Sequence, residues 1–300
     1  MGAAVRPLPL LDPKKIARVK NLEIVAKGVV EGIMAGLHRS PFHGASVEFA
    51  EHRGYVPGDD LRRLDWKMLA KSDRAYIKKY EEETDLRCLL AVDASGSMDY
   101  GEGDQNKLRY AKVLAAAFSY LLLMQRDAVG LAVFDDKLRR VFPPRGGART
   151  FRAVTSVLGE TNPGADTGIA GSLHLLSERF KRRGLLVLIS DLFDEPKELL
   201  SGLAHFRFRH HDVLVLHVVH PDEEDLPFNG WTRFEGLEPA DAEVFTEPQR
   251  VRKEYRERYE SFVREIQSGC RFRSIDYARV PTSEPWDRAL ARILGRRAAR

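Results

Sequence analysis

The amino-acid sequence predicts an α/β fold with a doubly wound, mostly parallel sheet of the Rossmann-like kind, and two observations support this prediction. Apolar runs at 89–92 and 185–189 have no polar interruption, which is typical of strands buried on both faces of a parallel sheet. After Asp85, stretches with the apolar spacing of helices alternate with such runs. We divide the chain into a helical and loop-rich N-terminal module at 1–84 and a sheet domain with a C-terminal extension at 85–300.

The first predicted element is a long amphipathic helix. It begins at Asp12-Pro13, where an N-cap residue precedes a proline at the first helical position, and it ends near Ser40-Pro41. Apolar residues recur along it at helical spacing and mark one face: Ile16, Val19, Leu22, Ala26, Val29, Ile33 and Leu37. We expect this face to pack against the rest of the chain, with a partner protein as the alternative.

After residue 85, predicted strands and helices alternate. The strands lie at 86–92, 128–134, 138–142, 185–190 and 213–219. The helices lie at 107–126, 150–158, 168–182 and 196–208. Helices that alternate with strands in this way cover both faces of a parallel sheet. The prediction is completed by an acidic loop at 222–225, a short edge ribbon at 231–238, a helix at 248–268, a strand at 271–275 and a helix at 283–297.

The composition is typical of a soluble globular protein, with 43% hydrophobic and 31% charged residues. The longest apolar stretch, at 113–124, is shorter than the roughly 20 residues that a membrane-spanning helix needs. The first residues lack the features of a secretory signal peptide. The two cysteines, Cys88 and Cys270, are expected to be buried, reduced thiols. We therefore expect a cytoplasmic protein without a transmembrane segment.

Three oxygen-bearing side chains at alternate positions, Asp93, Ser95 and Ser97, follow the apolar run at 89–92. Open α/β sheets bind ligands beyond the carboxyl ends of their strands. One carboxylate and two hydroxyls suit Mg²⁺, with Mn²⁺ or Ca²⁺ as alternatives, and they suit zinc or copper poorly because imidazole and thiolate are missing. The structural alternative is that Asp93 caps the next helix while the serines line a turn.

Two later segments carry similar residues. The run at 184–191 is again an apolar strand that ends in a hydroxyl and an acid, Asp191. The turn-rich loop at 162–168 leads into a helical pattern, with Thr167 at the junction of loop and helix and Asp166 beside it. Either of these two side chains could face the same cation.

Together these residues resemble the von Willebrand factor A fold and its metal-ion-dependent adhesion site, which takes Asp-x-Ser-x-Ser, a Thr and an Asp from three loops. The residues at those five positions are Asp93, Ser95, Ser97, Thr167 and Asp191. Thr167 is preferred to Asp166 because its spacing to the following helix matches that family. The resemblance implies that hydroxyls bind the ion, that the acids act largely through water, and that a partner's carboxylate completes the coordination.

The segment at 49–66, before the sheet, combines tight-turn residues with acids, arginines and aromatics. It resembles the bacterial family named domain of unknown function 58, whose members carry Arg-x-Tyr-x-x-Gly-Asp-Asp-x-Arg and then Asp-Trp before a von Willebrand factor A domain. The residues that fill this pattern are Arg53, Tyr55, Gly58, Asp59, Asp60, Arg62, Asp65 and Trp66. Many members begin with two transmembrane helices, which an amphipathic helix replaces here.

Two interpretations of this segment are open. As a structural clasp, its acids pair with its arginines and hold a loop that has no core of its own. As a functional surface, it binds a second ligand or a partner near the metal face. We favour the clasp, since structural ion-pair networks produce the same clustering of charges as functional ones.

The family resemblance implies a non-enzymatic partner of a MoxR-type AAA+ ATPase, an adaptor or chaperone that assembles or activates a client protein. The sequence has no Gly-x-Ser-x-Gly elbow, no Walker loop, and a serine where phosphotransferases place a second carboxylate behind Asp93. A metal-assisted phosphoester hydrolase that uses Asp93 and Asp191 is the alternative. The net charge of +4 comes without a nucleic-acid-binding motif, so no nucleic-acid partner is expected.

Overall fold

The computed structural model describes residues 22–37, 52–54, 76–78, 86–164, 167–237 and 243–298. They fall in two compact units, one within 1–36 together with 86–300 and the other within 37–85. The smaller unit contributes two short antiparallel strands, β1 (His52–Gly54) and β2 (Tyr76–Lys78). The residues predicted to form the clasp after Gly54 lie outside the described residues.

The larger unit is built on one sheet. Its strands, together with those of a separate small ribbon, are β3 (Arg87–Asp93), β4 (Ala128–Phe134), β5 (Leu138–Arg145), β6 (Leu185–Ser190), β7 (Asp212–Val219), β8 (Thr232–Phe234), β9 (Val244–Thr246) and β10 (Asp276–Pro281). The six-stranded sheet has the order β10-β7-β6-β3-β4-β5, and within it β5 alone pairs antiparallel to its neighbour. The predicted α/β class with a doubly wound, mostly parallel sheet is confirmed.

Helices cover both faces of this sheet. In chain order the helices are α1 (Leu22–Leu37), α2 (Lys107–Met124), α3 (Ala148–Glu160), α4 (Ile169–Arg179), α5 (Pro196–Phe208), α6 (Pro221–Asp225), α7 (Pro248–Phe272) and α8 (Trp286–Ala298). Side chains of β3 alternate between two apolar clusters: Leu90 and Val92 pack with α1, α2, α3 and α8, whereas Leu89 and Ala91 pack with α4, α5 and α7. Burial on both faces explains why the strand has no polar interruption.

The apolar face of α1 packs onto the larger unit. Ala26, Val29 and Ile33 belong to the apolar cluster that includes α2 and α3. The Thr155 hydroxyl of α3 donates to the Glu23 carboxylate of α1 at 3.1 Å. This packing agrees with the expected orientation of that face. The residues predicted to precede α1 in the same helix lie outside the described part of the chain.

The strand predicted at 271–275 is wrong. Helix α7 continues to Phe272, because Ile266 and Cys270 lie one helical turn apart and both face the apolar cluster beneath the helix. The chain then turns at Ser274, whose φ of 54° is left-handed, and β10 follows. The Phe272 side chain at the helix end is exposed.

The acidic segment predicted as a loop at 222–225 forms the short helix α6. His220 caps this helix: its Nδ1 accepts the Asp222 backbone N–H at 3.2 Å, and the Glu223 side chain accepts the His220 backbone N–H at 2.9 Å. The ribbon predicted at 231–238 is present as β8, which pairs with β9 in a sheet of their own rather than at an edge of the main sheet.

Two smaller predictions concern the cysteines and membrane spans. Cys88 on β3 and Cys270 on α7 are buried, free thiols, as expected. Among the residues that the structure describes, no helix has both the length and the apolar character needed to cross a bilayer.

Candidate functional site

The five residues of the predicted metal site lie at the carboxyl edge of the main sheet, where the direction of winding reverses. From β3 the chain moves outward to β4 and β5 on one side, and later to β6, β7 and β10 on the other. Strands β3 and β6 are therefore neighbours at the topological switch point, which is where open α/β sheets bind ligands. Asp93 ends β3, Ser190 ends β6, and Asp191 follows it.

Asp93 is fully buried. Its Oδ1 accepts the Ser95 backbone N–H at 2.9 Å, and its Oδ2 accepts the Ser190 hydroxyl at 2.6 Å. Burial, and after it the neighbouring charge of Asp191, raise the pKa of the Asp93 carboxyl to about 7. A cation bound beside such a carboxyl would return it to the ionised form.

Ser95 and Ser97 face the same space. Their hydroxyl oxygens are 3.1 Å apart, and Ser95 is fully buried. A 3-10 turn follows at Gly96–Asp99, but the Ser95 side chain makes no capping bond to it. The structural alternative therefore applies to part of the motif only: Asp93 closes a turn by accepting the Ser95 N–H, whereas the Ser95 hydroxyl does not cap.

Asp191 is the second buried carboxylate of the site. Its Oδ2 accepts from Lys107 Nζ at 2.7 Å, its Oδ1 accepts the Phe193 backbone N–H at 3.3 Å, and the Ser97 hydroxyl also donates to it. Burial would raise the pKa of Asp191, but the Lys107 ammonium and these hydrogen bonds outweigh burial and hold the pKa below its usual range. Asp191 is therefore ionised at neutral pH, whereas Asp93 is poised between its two states.

Lys107 is a residue of this site that sequence reasoning missed. It is the first residue of α2, is 1% exposed, and bridges Asp191 and Glu223 of α6 with its ammonium. Burial would lower the pKa of Lys107, but the two carboxylates raise it to about 12, so the side chain stays charged. The sequence did contain a signal for its burial, because Lys107 lies on the same helix face as the apolar residues Ala111 and Leu114, which are buried.

Ser190 is the hydroxyl residue noted in the run at 184–191, but the sequence alone did not assign it to the site. Its hydroxyl donates to Asp93 Oδ2 and accepts the Leu192 backbone N–H at 2.8 Å. It thereby joins the ends of β3 and β6 and limits the rise in the pKa of Asp93. Its position directly before Asp191, at the end of an apolar run, was the available signal.

Thr167 lies in a loop that is fixed at both ends to the same edge of the sheet. The Gly164 N–H donates to the Ala94 carbonyl at 2.6 Å, and the Gly168 N–H donates to the Asp135 carbonyl at 3.1 Å. Thr167 is half-buried between these two anchors, which follow the ends of β3 and β4. The backbone anchors thus bring Thr167 to the carboxyl edge of the sheet.

Other predicted residues lie outside the described part of the chain. Asp166, the alternative to Thr167, is one of them. Of the predicted clasp residues, Arg53 is described only through the backbone of β1. The clasp residues that also lie outside the described part are Tyr55, Asp59, Asp60, Arg62, Asp65 and Trp66. The clasp and the partner-surface interpretations of that segment stay predictions.

The chemistry of the donor atoms limits which cation could fit. Within the described ranges, no group of three or more His, Cys, Asp or Glu side chains forms a metal cluster. A cation here would therefore depend on hydroxyls as well as on the two carboxylates. Such oxygen donors fit hard cations, namely Mg²⁺, Mn²⁺ and Ca²⁺. Since two carboxylates neutralise such an ion only in part when Lys107 offsets one of them, an anionic partner would add to its binding.

Comparisons with known proteins identify relatives that match most of the chain. A family model described as "Protein of unknown function DUF58" matches residues 51–266. The uncharacterized protein Rv1480 of Mycobacterium tuberculosis (strain ATCC 25618 / H37Rv) is 30% identical over 234 residues, which cover 75% of this chain and 73% of that protein. The uncharacterized protein Mb1516 of Mycobacterium bovis has the same identity and coverage.

Similar solved structures are more distant. The conserved hypothetical protein BatB from Bacteroides thetaiotaomicron is 18% identical with a TM-score of 0.49, over 72% of this chain and all (100%) of that one. An aerotolerance-related membrane protein from Bacteroides fragilis is 20% identical with a TM-score of 0.49, over 70% and 97%. The SpRpn10 VWA domain is 12% identical with a TM-score of 0.38, over 70% and 93%. The fold described above follows from the strand order itself.

Proposed function

The chain belongs to the DUF58 family of proteins of unknown function, and from this starting point we propose that it is a protein-interaction module. Its site would hold a divalent cation and bind an acidic side chain of a partner protein. The observation that carries the proposal is the pair of buried carboxylates, Asp93 and Asp191, at the ends of neighbouring strands. Two buried like charges repel each other, and a divalent cation beside them would offset that repulsion.

The proposed cation is Mg²⁺, with Mn²⁺ and Ca²⁺ as alternatives. The hydroxyls of Ser95, Ser97 and Thr167 would bind it, and Asp93 and Asp191 would act on it largely through water. Hard cations accept such oxygen ligands, and Mg²⁺ usually keeps several waters. When bound, the cation supplies a positive charge that attracts a carboxylate more strongly in a water-poor place than in bulk solvent.

The residues around the cation position would orient its ligands and provide a contact surface for the partner protein. The Ser190 hydroxyl and the Ser95 N–H each hold one oxygen of Asp93. Phe193, whose backbone N–H donates to Asp191, has a side chain that is 67% exposed. A partner that presents an acidic residue next to an apolar one would therefore suit this surface in both charge and polarity.

The partner we propose is a MoxR-type AAA+ ATPase, and the role is that of an adaptor or chaperone for a client protein. This part of the proposal rests on the family resemblance. The sequence has no Walker loop, so nucleotide hydrolysis in such a pair would belong to the ATPase.

The test captures a purified MoxR-type ATPase on the immobilised full chain, with Mg²⁺ or with excess EDTA. We expect the ATPase to be retained with Mg²⁺ and lost with EDTA, and Asp93→Ala to lose it under both conditions. Asp99→Asn is the matched control, because Asp99 is an exposed acid on the turn that follows the site. Equal retention in Mg²⁺ and in EDTA would contradict the proposal.

A metal-assisted hydrolase predicts a different result from the same protein. The isolated chain would then turn over phosphoesters with Mg²⁺ or Mn²⁺, and Asp191→Ala would abolish the turnover. We expect no turnover by the wild type. Turnover that depends on Asp191 would favour the hydrolase over the interaction module.

A further inference from the structure

Lys107 carries a buried positive charge next to the proposed position of the metal ion. Helix α2 does not need this side chain as its N-cap. The Lys107 side chain is 1% exposed. The helix is capped by Asn106, whose side chain accepts the Arg109 backbone N–H at 3.0 Å. An apolar side chain at position 107 would pack without the loss of hydration that an ammonium suffers on burial. Because burial of the ammonium costs hydration, we expect the reason for its presence to lie in the residues that it contacts.

The two contacts of Lys107 join different parts of the molecule. Its Nζ is 2.7 Å from Asp191 Oδ2, after β6, and it also contacts Glu223 Oε1 on α6. Glu223 is held from its own side, since its Oε2 accepts the His220 backbone N–H at 2.9 Å and its carbonyl accepts the Tyr255 hydroxyl at 2.6 Å. One ammonium is thus shared between an acid of the site and an acid on another helix.

This sharing sets the charge that a cation would meet. Asp93 and Asp191 supply two negative charges when both are ionised, and Lys107 lies against one of them. A positive charge at short range in a buried place repels a divalent cation strongly. Glu223 takes part of that positive charge and so limits the repulsion.

We propose that Lys107 and Glu223 together set the cation affinity of the site, Lys107 by weakening it and Glu223 by limiting that effect. The chain alone then holds a cation weakly, and a partner's carboxylate restores the missing negative charge and makes the binding firm. By linkage, the cation in turn strengthens the binding of the acidic partner. The inference rests on the function proposed above and specifies how occupancy of its site depends on the partner.

A purely structural role makes a different prediction. If Lys107 and Glu223 only held Asp191 in place, removing either side chain would disturb the site and weaken cation binding. If their charges set the affinity, removing the positive charge strengthens binding, and removing the negative charge weakens it. The direction of the two changes separates the two roles.

The test measures the Mn²⁺ affinity of the full chain by isothermal titration calorimetry. We expect the dissociation constant to fall about tenfold in Lys107→Met and to rise only about threefold in Glu223→Gln, because Glu223 contacts the ammonium rather than Asp191. The matched control is Asp225→Asn, which removes an acid of the same short helix that pairs with Arg256 at 2.7 Å instead. This control should leave the affinity unchanged.

A second variant keeps the test decisive if Lys107→Met does not fold, because that change leaves two carboxylates without their ammonium. The double variant Lys107→Met/Glu223→Gln removes both charges and keeps Asp191, and we expect it to bind Mn²⁺ more tightly than the wild type. Weaker or unchanged binding in the folded Lys107 variants would overturn this inference alone. A folded wild type that binds no Mn²⁺ would overturn the proposed cation site and, with it, this inference.

Discussion

The amino and carboxyl edges of the main sheet treat charge in opposite ways. At the amino edge, the Asp127 carboxylate accepts the Leu86 backbone N–H at 3.2 Å, and Arg207 donates to the Asp212 carboxylate at 3.0 Å. Each of these two acids is matched with a backbone donor or with an opposite charge. These contacts fix the segments that lead into β3, β4 and β7.

At the carboxyl edge, the buried carboxylates of Asp93 and Asp191 repel each other electrostatically. Lys107 compensates Asp191, while burial and the charge of Asp191 raise the pKa of Asp93 to about 7. This arrangement opposes folding whenever both acids are ionised. A sheet that matches its charges at one edge and leaves a repulsion at the other favours a ligand at the second edge, since perturbed titratable groups cluster at functional sites.

The substitution with the largest expected effect on this comparison is Asp93→Asn. It removes the buried negative charge and keeps the side-chain shape. We expect the Mn²⁺ affinity to fall about a hundredfold, or about 2.8 kcal/mol, while the metal-free free energy of unfolding stays equal or rises. Calorimetric titration and urea unfolding in EDTA measure the two quantities. Unchanged Mn²⁺ affinity would remove the functional interpretation of the carboxyl edge.

A smaller effect is expected in the pH dependence of the metal-free protein. The pKa of Asp93 is raised from 3.8 to about 7 on folding, so between these values the folded state binds more protons than the unfolded state. The stability contribution of Asp93 is therefore greatest below about pH 4 and declines steadily as the pH rises toward 7. Urea unfolding in EDTA across this range, compared with Asp93→Asn, isolates the decline. Parallel profiles would show that Asp93 titrates normally.

The amino edge gives the smallest expected effect. Asp127→Ala leaves the Leu86 N–H without this acceptor, so we expect the free energy of unfolding to fall by about 1–2 kcal/mol. The Mn²⁺ affinity should not change, because the residue lies at the opposite end of the strands. Urea unfolding and Mn²⁺ titration of the same preparation check both statements. Loss of Mn²⁺ binding in this folded variant would end the contrast between the edges.

Much of the sheet could be predicted from the sequence. The elements predicted at 128–134, 185–190 and 196–208 have those bounds in the structure, because a buried strand is a continuous apolar run and a proline marks a helix start. The strand predicted at 271–275 and the loop at 222–225 were wrong. The end of helix α7 depends on which of its sides faces the core, and the short helix at 221–225 depends on the side-chain cap from His220.

In the candidate site, too, features that depend on neighbouring residues could be predicted, and features that depend on distant residues could not. The Asp-x-Ser-x-Ser motif is local in the sequence, and Asp191 repeats its strand-end pattern, so both could be found by type and spacing. Lys107 was missed, and Ser190 was noted but not assigned to the site, because a lysine at a helix start and a serine at a strand end are common until their partners are known. The carboxylates that Lys107 contacts lie 84 and 116 residues away along the chain.

By itself, the sequence determined the class of sheet, the order of most of its elements and the oxygen-bearing residues at the strand ends. Burial patterns and turn preferences act over a few neighbouring residues, which is why they can be read from a linear chain. Only the tertiary structure decided that Asp93 lies beside Asp191 and that Lys107 shares its charge with Glu223. Charges interact according to their distance in space and the polarity of their surroundings, and the fold alone sets both.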